Sequence, residues 1–352
     1  MRCYGRLFDA PPARKARLPL STSPPTLAAM LPWFVLWPFF AAARAIDERY
    51  PRRALAICQF VASHTVGATS AGGQRLNAAA QVDEATIWGR LGDQGRSLAI
   101  NDGVIRAYGR SLDNKLRQHV AWATVNKGWD LIESDRSLEA IEVYESLSER
   151  LPRDMPFLEP LAQGLMNWAA ALDKLGRHSE EKEVYGRIQD LLAGTQDDST
   201  SRHLAWAFLN KGITLASERD FEAAIAMYDV VLRRWWTPSV SADTPTRMHE
   251  AMAAALRHRS AALADSGHPE AAIADADRAV NRYLGAGDKG IEEEVAWALL
   301  TKGVALEALG RKSEARLTYD ALVNRYRRSS GEQVRIALGS ARRLREGLEN
   351  SG

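Results

Sequence analysis

The nine residues Val120-Ala-Trp-Ala-Thr-Val-Asn-Lys-Gly128 recur twice more along the chain with small changes. The second copy is Leu204-Ala-Trp-Ala-Phe-Leu-Asn-Lys-Gly212, and the third is Val295-Ala-Trp-Ala-Leu-Leu-Thr-Lys-Gly303. A tyrosine follows 16 residues after each final glycine, at Tyr144, Tyr228 and Tyr319. Self-similarity at a fixed period of this length indicates a repeat architecture built from one supersecondary unit.

The closing glycine marks a position that can be followed through six units. We call it the anchor position, and its occupants are all small: Ala85, Gly128, Ala169, Gly212, Ser260 and Gly303. Successive anchors are 41 to 48 residues apart. Seven residues after the anchor, four units have a turn glycine: Gly92, Gly176, Gly267 and Gly310. Twelve residues after it comes an alanine position, filled by Ala140, Ala224, Ala272 and Ala315, and by Ser97 and Glu181 elsewhere. Sixteen residues after it comes a tyrosine position, filled by Tyr144, Tyr185, Tyr228 and Tyr319, and by Asn101 and Ala276 elsewhere.

These spacings predict a helical hairpin in each unit. Gly128 and Leu131 share one face of a first helix, and the turn glycine ends that helix because it tolerates a left-handed backbone. A second helix follows, with its alanine and tyrosine positions one turn apart. Small residues at the anchor and alanine positions let the two helices approach closely, and the tyrosine ring fills the space beside them. The tyrosines and tryptophans are therefore expected to be packing residues.

The pattern resembles the tetratricopeptide repeat family, which has a small residue and then a large apolar one in helix A, a turn glycine, and an alanine and an aromatic residue in helix B. The resemblance implies an all-α fold: a right-handed α-solenoid of stacked antiparallel helix hairpins over residues 75–332, closed by a capping helix at 333–352. The family period is about 34 residues. The longer period here requires longer helices or longer loops between units, as at 192–201 and 237–245. HEAT or armadillo repeats are the alternative, and the Gly/Ala/Tyr spacing argues against them.

The N-terminal part of the chain departs from the repeat. Residues 1–26 are basic and proline-rich and are expected to be disordered, and residues 46–74 are expected to form a linker or a degenerate helix. Residues 27–45 form an apolar segment that fits a signal peptide or a short membrane anchor. Prolines interrupt it, and its strongly apolar part is about 17 residues long, at the lower limit for a membrane span. The alternative is a soluble protein that starts at Met30.

Sequence motifs for catalysis are missing from the chain. It contains no phosphate-binding glycine loop, HExxH sequence, nucleophile elbow or CxxC pair. Its two cysteines are too few for a zinc site or a disulfide framework. The formal net charge of +2 is too small for a duplex-binding surface. We therefore expect a non-enzymatic protein without cofactor, metal or nucleic-acid partner.

Recognition by the first helices is the remaining expectation. In tetratricopeptide proteins these helices line a groove that holds an extended peptide or a partner's helix, often through Asn, Lys and Arg. The resemblance assigns this role to Asn126, Lys127, Asn167, Asn210, Lys211, Arg257 and Lys302, with an aromatic stripe of Trp122, Trp206 and Trp297. The alternative is structural, because the asparagines can bond neighbouring hairpins, the lysine stems can cover the core and the tryptophans can pack between repeats.

The resulting hypothesis is a protein–protein interaction scaffold that binds a peptide or protein segment on its concave face. The alternative is a membrane-tethered or exported assembly factor of the cell envelope, in which only residues 27–45 contact the membrane. A cytoplasmic location is favoured over a membrane-anchored or exported one. The sequence does not identify the partner.

Overall fold

The structure is a computed structural model that describes residues 33–47, 49–236, 246–329 and 331–350. Within these ranges the chain forms α-helices joined by short connections and contains no strand. The basic segment 1–26, the first residues of the apolar segment (27–32) and the 237–245 connection lie outside the described residues.

Long and short helices alternate along most of the chain. From α3 onward the odd-numbered helices have 20 residues, apart from the last with 19, and the even-numbered ones have 14 or 15. The described helices are α1 (Trp33–Ile46), α2 (Pro51–Thr65), α3 (Ala71–Arg90), α4 (Gln94–Tyr108), α5 (Asn114–Glu133), α6 (Ser137–Arg150), α7 (Met155–Lys174), α8 (His178–Leu192), α9 (Asp198–Ser217), α10 (Phe221–Trp235), α11 (Thr246–Asp265), α12 (Pro269–Tyr283), α13 (Lys289–Ala308), α14 (Lys312–Tyr326) and α15 (Glu332–Asn350).

The helices group into two compact units, residues 1–187 (unit 1) and residues 188–352 (unit 2), with the boundary inside α8. In unit 1 the odd-numbered helices pack side by side in chain order: α1 on α3, α3 on α5 and α5 on α7. Helices α2, α4 and α6 each pack against the two odd-numbered helices that flank them. Unit 2 repeats this arrangement from α9 to α15. We call the odd-numbered helices A helices and the even-numbered ones B helices. The predicted all-α solenoid of helix hairpins is confirmed.

Longer helices explain the long repeat period. Each anchor follows 14 helical residues, as 114–127 precede Gly128 in α5. The connection between α8 and α9 contains only residues 193–197, because Asp197 caps α9 by accepting from the amides of Ser199 and Thr200 at 3.1 Å. Residues 198–201, expected in a loop, form the first turn of α9 instead. The additional length therefore extends the beginning of the A helix.

The anchor glycines lie against the tyrosine rings of their own hairpins. A Cβ atom built on Gly212 would stand 2.5 Å from Cε1 of Tyr228, and Gly128 and Gly303 are at least as close to Tyr144 and Tyr319. These three rings, like that of Tyr185, are fully buried. At such a distance no side chain fits between helix A and the ring. Glycine at these anchors is a steric requirement of the hairpin.

In the α11–α12 hairpin, where Ala276 occupies the tyrosine position, a hydrogen bond replaces the contact with the ring. There the anchor is Ser260, and its hydroxyl donates to the carbonyl oxygen of Ala272 at 2.7 Å. Because no ring occupies the space beside helix A, the larger anchor fits and its polar group is satisfied by the B helix. The two departures from the pattern in this hairpin compensate each other.

A left-handed residue ends the A helix in all six hairpins, including the two that lack a turn glycine. Asp135 and Arg219 have φ values of 59° and 68°, slightly below the 71° to 84° found at the four turn glycines and in the same left-handed region. In both cases the next residue donates back into the helix, as the amide of Arg136 does to the carbonyl of Leu131 at 2.8 Å. The hydrogen bonds that close the helix therefore impose this conformation on Asp135 and Arg219 as well.

The N-terminal segment is more ordered than expected from the sequence. Residues 46–74, expected as a linker or a degenerate helix, contain all of α2 and the start of α3. Pro51 occupies the first turn of α2, where it costs no hydrogen bond. Apolar residues at helical spacing, including Leu55, Cys58 and Val61, pack this helix on α1 and α3. Helices α1 and α2 thus form a hairpin that precedes the first predicted unit.

Three polar residues replace the alanine–tyrosine packing in the hairpin of α3 and α4. Ser97 and Asn101 occupy the alanine and tyrosine positions, and both donate to Oδ2 of the buried Asp130 from α5, at 2.5 and 3.4 Å. Burial raises the pKa of Asp130 to about 7, although these hydrogen bonds oppose the increase. This small polar core carries a carboxyl group that titrates near neutral pH.

Replacing an anchor glycine should destabilise the protein, whereas replacing an open helical glycine should not. We expect Gly303→Ala to lower the free energy of unfolding by about 1–3 kcal/mol, because the methyl group overlaps the Tyr319 ring. The matched control is Gly339→Ala in α15, where a Cβ meets nothing within 4 Å. In the control variant the free energy of unfolding should rise by about 0.5–1 kcal/mol, because alanine has a higher helix propensity than glycine. Urea denaturation followed by circular dichroism measures both, and equal effects would contradict the steric explanation.

The pKa of Asp130 predicts a stability that depends on pH. Because the folded-state pKa (about 7) exceeds the usual value of 3.8, the folded chain holds a proton that the unfolded chain releases, and stability falls as pH rises from 4 to 7. Asp130→Asn should abolish this slope and raise the free energy of unfolding at pH 8 by up to about 4 kcal/mol. Its amide can also donate to Asn101 Oδ1, which has no partner within the described part of the chain. Urea titrations at several pH values test this, and Glu145→Gln, at an exposed carboxylate of α6, should leave the slope unchanged.

Candidate functional site

Unit 1 contains a cavity of about 620 Å³ between three A helices, α1, α3 and α5. Four large apolar side chains line it, contributed by the first and last of these helices: Trp33, Trp37, Phe40 and Trp122. The middle helix supplies small side chains such as Ala79 and Thr86 to the floor. The side chains of the three helices together enclose a concave surface. We call it the aromatic cavity.

Close packing and an ion pair position α1 at the rim of the aromatic cavity. The indole of Trp33 lies directly on Gly72, leaving no room for a Cβ atom there. At the other end of α1, Arg44 donates to both carboxylate oxygens of Asp83 on α3, at 2.6 and 3.1 Å. Leu36, between these contacts, is fully buried. Helix α1 is thereby fixed along its length on unit 1.

The polar lining of the aromatic cavity is mainly cationic. Arg44, Arg75 and Lys115 face it against a single carboxylate, Asp83. Arg75 Nε lies 3.1 Å from both oxygens of Asp113, and its guanidinium holds the pKa of that carboxyl at about 2. Because Arg44 and Arg75 are paired with Asp83 and Asp113, the excess positive charge beside the aromatic wall belongs to Lys115.

His119 completes this lining. Burial and, secondarily, the nearby Arg44 charge lower its pKa, so the imidazole is neutral at physiological pH. A neutral imidazole presents one donor and one acceptor to a bound group.

Two of the sequence-predicted site residues, Trp122 and Asn126, line the aromatic cavity. Asn126 Nδ2 also donates to Thr86 Oγ1 of the preceding A helix at 2.9 Å. This is the bond between neighbouring hairpins that the structural alternative describes. The remaining amide oxygen of Asn126 is an acceptor on the cavity side of α5.

Two of the predicted lysines pair with the preceding B helix. Lys127 Nζ lies 2.7 Å from Asp102 of α4, and Lys302 Nζ lies 2.6 Å from Asp277 of α12. Both pairs join residues 25 positions apart in the sequence. The residue 25 positions before the third lysine, Lys211, is Gly186, which has no carboxylate to form the same pair. The two ion pairs direct these lysines toward the B helices.

The predicted asparagines Asn167 and Asn210 are buried, with exposed fractions of 3% and 6%. Gln163 Nε2 donates to Asn167 Oδ1 at 2.8 Å within α7. In unit 2, the guanidinium of Arg257 lies 5.1 Å from the ring centre of Trp297 and 3.9 Å from Glu294. Trp206 and Trp297 pack against the hydrophobic core of that unit.

Sequence reasoning missed several residues of the aromatic cavity. Trp33, Trp37 and Arg75 lie outside the repeated phrase, and Lys115 and His119 belong to the part of α5 that precedes it. A signal was available in Trp33 and Trp37, which are one helical turn apart in a segment interpreted as a signal or anchor. Their position on the cavity wall depends on how α1 packs on α3, which no local pattern contains.

One group of side chains in unit 1 has the composition of a metal site. The ligand atoms of Asp173, His178 and Glu181 all lie within 4.8 Å of one another. Glu181 fills the alanine position and is fully buried, with His178 Nδ1 at 3.1 Å and Tyr185 donating to it at 3.4 Å. These contacts are the ones a buried carboxylate needs for compensation without an ion. The expected absence of a metal stays a prediction.

A family model described as tetratricopeptide repeat matches residues 297–329. The matched segment contains Gly303, Gly310, Ala315 and Tyr319, and the glycine–tyrosine contact formed there recurs in the hairpins of α5–α6 and α9–α10. The α13–α14 hairpin therefore has the sequence pattern of a tetratricopeptide repeat.

Solved structures of tetratricopeptide repeat proteins are similar to the chain at low sequence identity. Pseudomonas aeruginosa pilF has 12% identity and a TM-score of 0.47, over 74% of this chain and 96% of that one. A tetratricopeptide repeat protein from Parabacteroides merdae has 11% identity and a TM-score of 0.49, over 87% and 98%. The TPR2AB domain of yeast Sti1, in complex with pHSP90, has 16% identity and a TM-score of 0.27, over 75% and 98%.

No curated protein sequence matches the chain. Among the described helices, none combines the length and the apolar character that crossing a bilayer requires.

The bond between Asn126 and Thr86 gives a test of the structural role of the repeated asparagine. In a double-mutant cycle of Asn126→Ala and Thr86→Val, we expect a coupling energy of about 1 kcal/mol, because the two side chains share a half-buried hydrogen bond. Urea denaturation of the four variants provides the measurement. Thr124→Val is the matched control, since that hydroxyl donates within its own helix to Val120, and it should show no coupling to Asn126→Ala. Equal coupling in both cycles would exclude the inter-helix bond.

Proposed function

We propose that this protein is an interaction scaffold whose aromatic cavity binds a peptide segment of a partner protein. The observation that carries the proposal is the joint presence of Trp33, Trp37 and Trp122 around a concave space of about 620 Å³. Large, rigid aromatic side chains bury much apolar area with little loss of conformational entropy, so they are the usual energetic centres of recognition surfaces. Most ligand-binding pockets have this volume and this apolar lining.

The charges around the aromatic cavity favour an acidic segment. Arg75 and Lys115 stand at its edge, and Lys115 is exposed without an ion pair among the described residues. Partner carboxylates beside them would gain charge-assisted hydrogen bonds at the rim, where full desolvation is not required. The preferred ligand is therefore a segment with one or two large apolar residues flanked by Asp or Glu.

The arrangement of the A helices favours a peptide over a small molecule. The cavity is walled by parallel rows of side chains from consecutive helices, and it includes Asn126, whose amide can bond a peptide backbone. A groove crossed by successive helices offers contacts along an extended chain. The cavity residues form no nucleophile–base pair, so we propose binding without catalysis.

A second candidate is a factor tethered to the cell envelope through residues 27–45. One observation favours it: within this segment, α1 exposes Phe34, Val35, Trp37 and Phe39. In this case the same cavity would recruit a partner at the membrane. The two candidates differ in location and share the binding site.

The cavity proposal is tested by selecting twelve-residue peptides from a displayed random library on the full chain and measuring their affinity by fluorescence anisotropy. We expect selected peptides rich in aromatic and acidic residues. Trp122→Ala should weaken their binding at least about tenfold, since a buried aromatic hot spot contributes 2 kcal/mol or more. Lys115→Glu should also weaken it.

The matched control is Trp206→Ala, which removes the same residue from the same repeat position in unit 2, outside the aromatic cavity. Its effect on affinity should stay within about twofold, although both variants lose packing in their own unit. Equal losses in both variants, or peptides whose binding is unaffected by Trp122→Ala, would place the binding surface elsewhere. Circular dichroism confirms that each variant is folded.

A further inference from the structure

Helix α1 has an apolar side that is exposed in the described part of unit 1. Its sequence, WFVLWPFFAAARAI, contains one polar residue, Arg44, which is bonded to Asp83. Leu36, Phe40 and Ala43 form the buried side. The remaining side, which we call the outer face of α1, consists of exposed apolar residues: Phe34, Val35, Pro38, Phe39, Ala41, Ala42 and Ala45.

A helix that is apolar all round is normally covered on every side. On the outer face of α1, Phe34 is 63% exposed and Phe39 is 51% exposed. Phe60 of α2, itself 41% exposed, lies beside Phe39 with a ring-centre distance of 6.3 Å and extends the apolar surface. Exposed aromatic residues clustered in this way mark an interaction surface.

Basic residues adjoin the end of this surface. Arg49, Arg52 and Arg53 are exposed, and none has an ion pair among the described residues. Two of them stack on the exposed ring of Tyr50, with Arg49 at 5.5 Å and Arg53 at 5.1 Å from its centre. Asp47, which precedes this cluster in the sequence, is paired with Arg90. A positively charged, aromatic edge thus follows the apolar helix.

The length and packing of α1 exclude a spanning orientation for this helix as described. Fourteen residues rise about 21 Å, against a hydrocarbon thickness of about 30 Å. Pro38 interrupts the helix, and three of its residues are committed to the core of unit 1. Only the outer face remains available, so any contact with a bilayer must be made side-on.

We propose that the outer face of α1, together with Arg49, Arg52 and Arg53, binds an anionic membrane surface, with α1 lying in the plane of the interface. Aromatic rings and arginine are suited to the headgroup region, where an apolar body and a charged tip are both satisfied. Each arginine adds electrostatic attraction to anionic lipid.

Lipid is favoured over a second copy of the chain by the charges. A twofold contact with parallel α1 helices would bring the two arginine clusters together. One with antiparallel helices would place each cluster beside the apolar start of the other α1, so neither arrangement gives the arginines an opposite charge. An anionic surface complements the same cluster. The proposal does not depend on peptide binding, because Phe34 and Phe39 are not among the residues that line the aromatic cavity.

Vesicle flotation with the full chain tests the proposal. We expect binding to phosphatidylcholine vesicles that contain phosphatidylserine and little binding to pure phosphatidylcholine. Raising the ionic strength from about 0.1 M to about 0.5 M should weaken it, because the attraction is screened. Phe34→Ser with Phe39→Ser, and separately Arg52→Gln with Arg53→Gln, should each reduce the bound fraction at least about tenfold.

The control variant is Leu138→Ser with Leu317→Ser, which removes two leucines with exposed fractions of 62% and 68% from α6 and α14. It should bind vesicles like the unmodified chain. Binding that ignores phosphatidylserine, or that survives both test variants, would overturn the proposal. So would a dimer, measured by light scattering, that the Phe34→Ser and Phe39→Ser variant alone converts to monomer without vesicle binding by either form.

Peptide affinity of the same variants separates this result from the cavity proposal. The outer-face variant should keep its affinity for the selected peptide, and Trp122→Ala should keep its affinity for vesicles. Circular dichroism and thermal melting confirm that each variant is folded.

Discussion

The closeness of helix A to the ring of helix B is the constraint on which the hairpins depend. At Gly128, Gly212 and Gly303 the backbone of the A helix touches a buried tyrosine with no side chain between them. That contact fixes how near the two helices lie, and the left-handed residue seven positions later turns the chain so that the B helix can reach it. The A helices then pack on one another within each unit as a result of this repeated geometry.

Departures from the repeat are informative because each is compensated by a specific contact. Ser260 tolerates the absence of a ring at Ala276 by bonding the B helix. Ser97 and Asn101 stand where other hairpins have alanine and tyrosine, and both donate hydrogen bonds to a buried carboxyl group on the next A helix. Glu181 is accommodated through His178 and Tyr185. Different residue types are therefore tolerated at these positions, provided that the space is filled and every buried polar side chain has a hydrogen-bond partner.

Both proposed functions depend on helix α1, which lies outside the six repeated hairpins. Trp122, Trp206 and Trp297 occupy the same position of the repeated phrase, yet Trp122 borders the aromatic cavity while the other two pack on the core of unit 2. The difference arises from α1, which supplies two more tryptophans opposite Trp122. The same helix has one side in the core, one flank on the cavity and an exposed outer face. A single short helix therefore contributes to both proposed surfaces.

The sequence by itself determined the hairpins, because the small anchor, the turn residue and the tyrosine act within about 16 residues and leave a periodic trace. It placed every anchor in an A helix, and it predicted Asn126 and Trp122 as candidate binding residues. Only the tertiary structure decided that Lys127 pairs with Asp102, that Asn167 and Asn210 are buried, and that Trp33 and Arg75 border a cavity. Those facts depend on how helices distant in sequence pack against each other, and no local spacing encodes that packing.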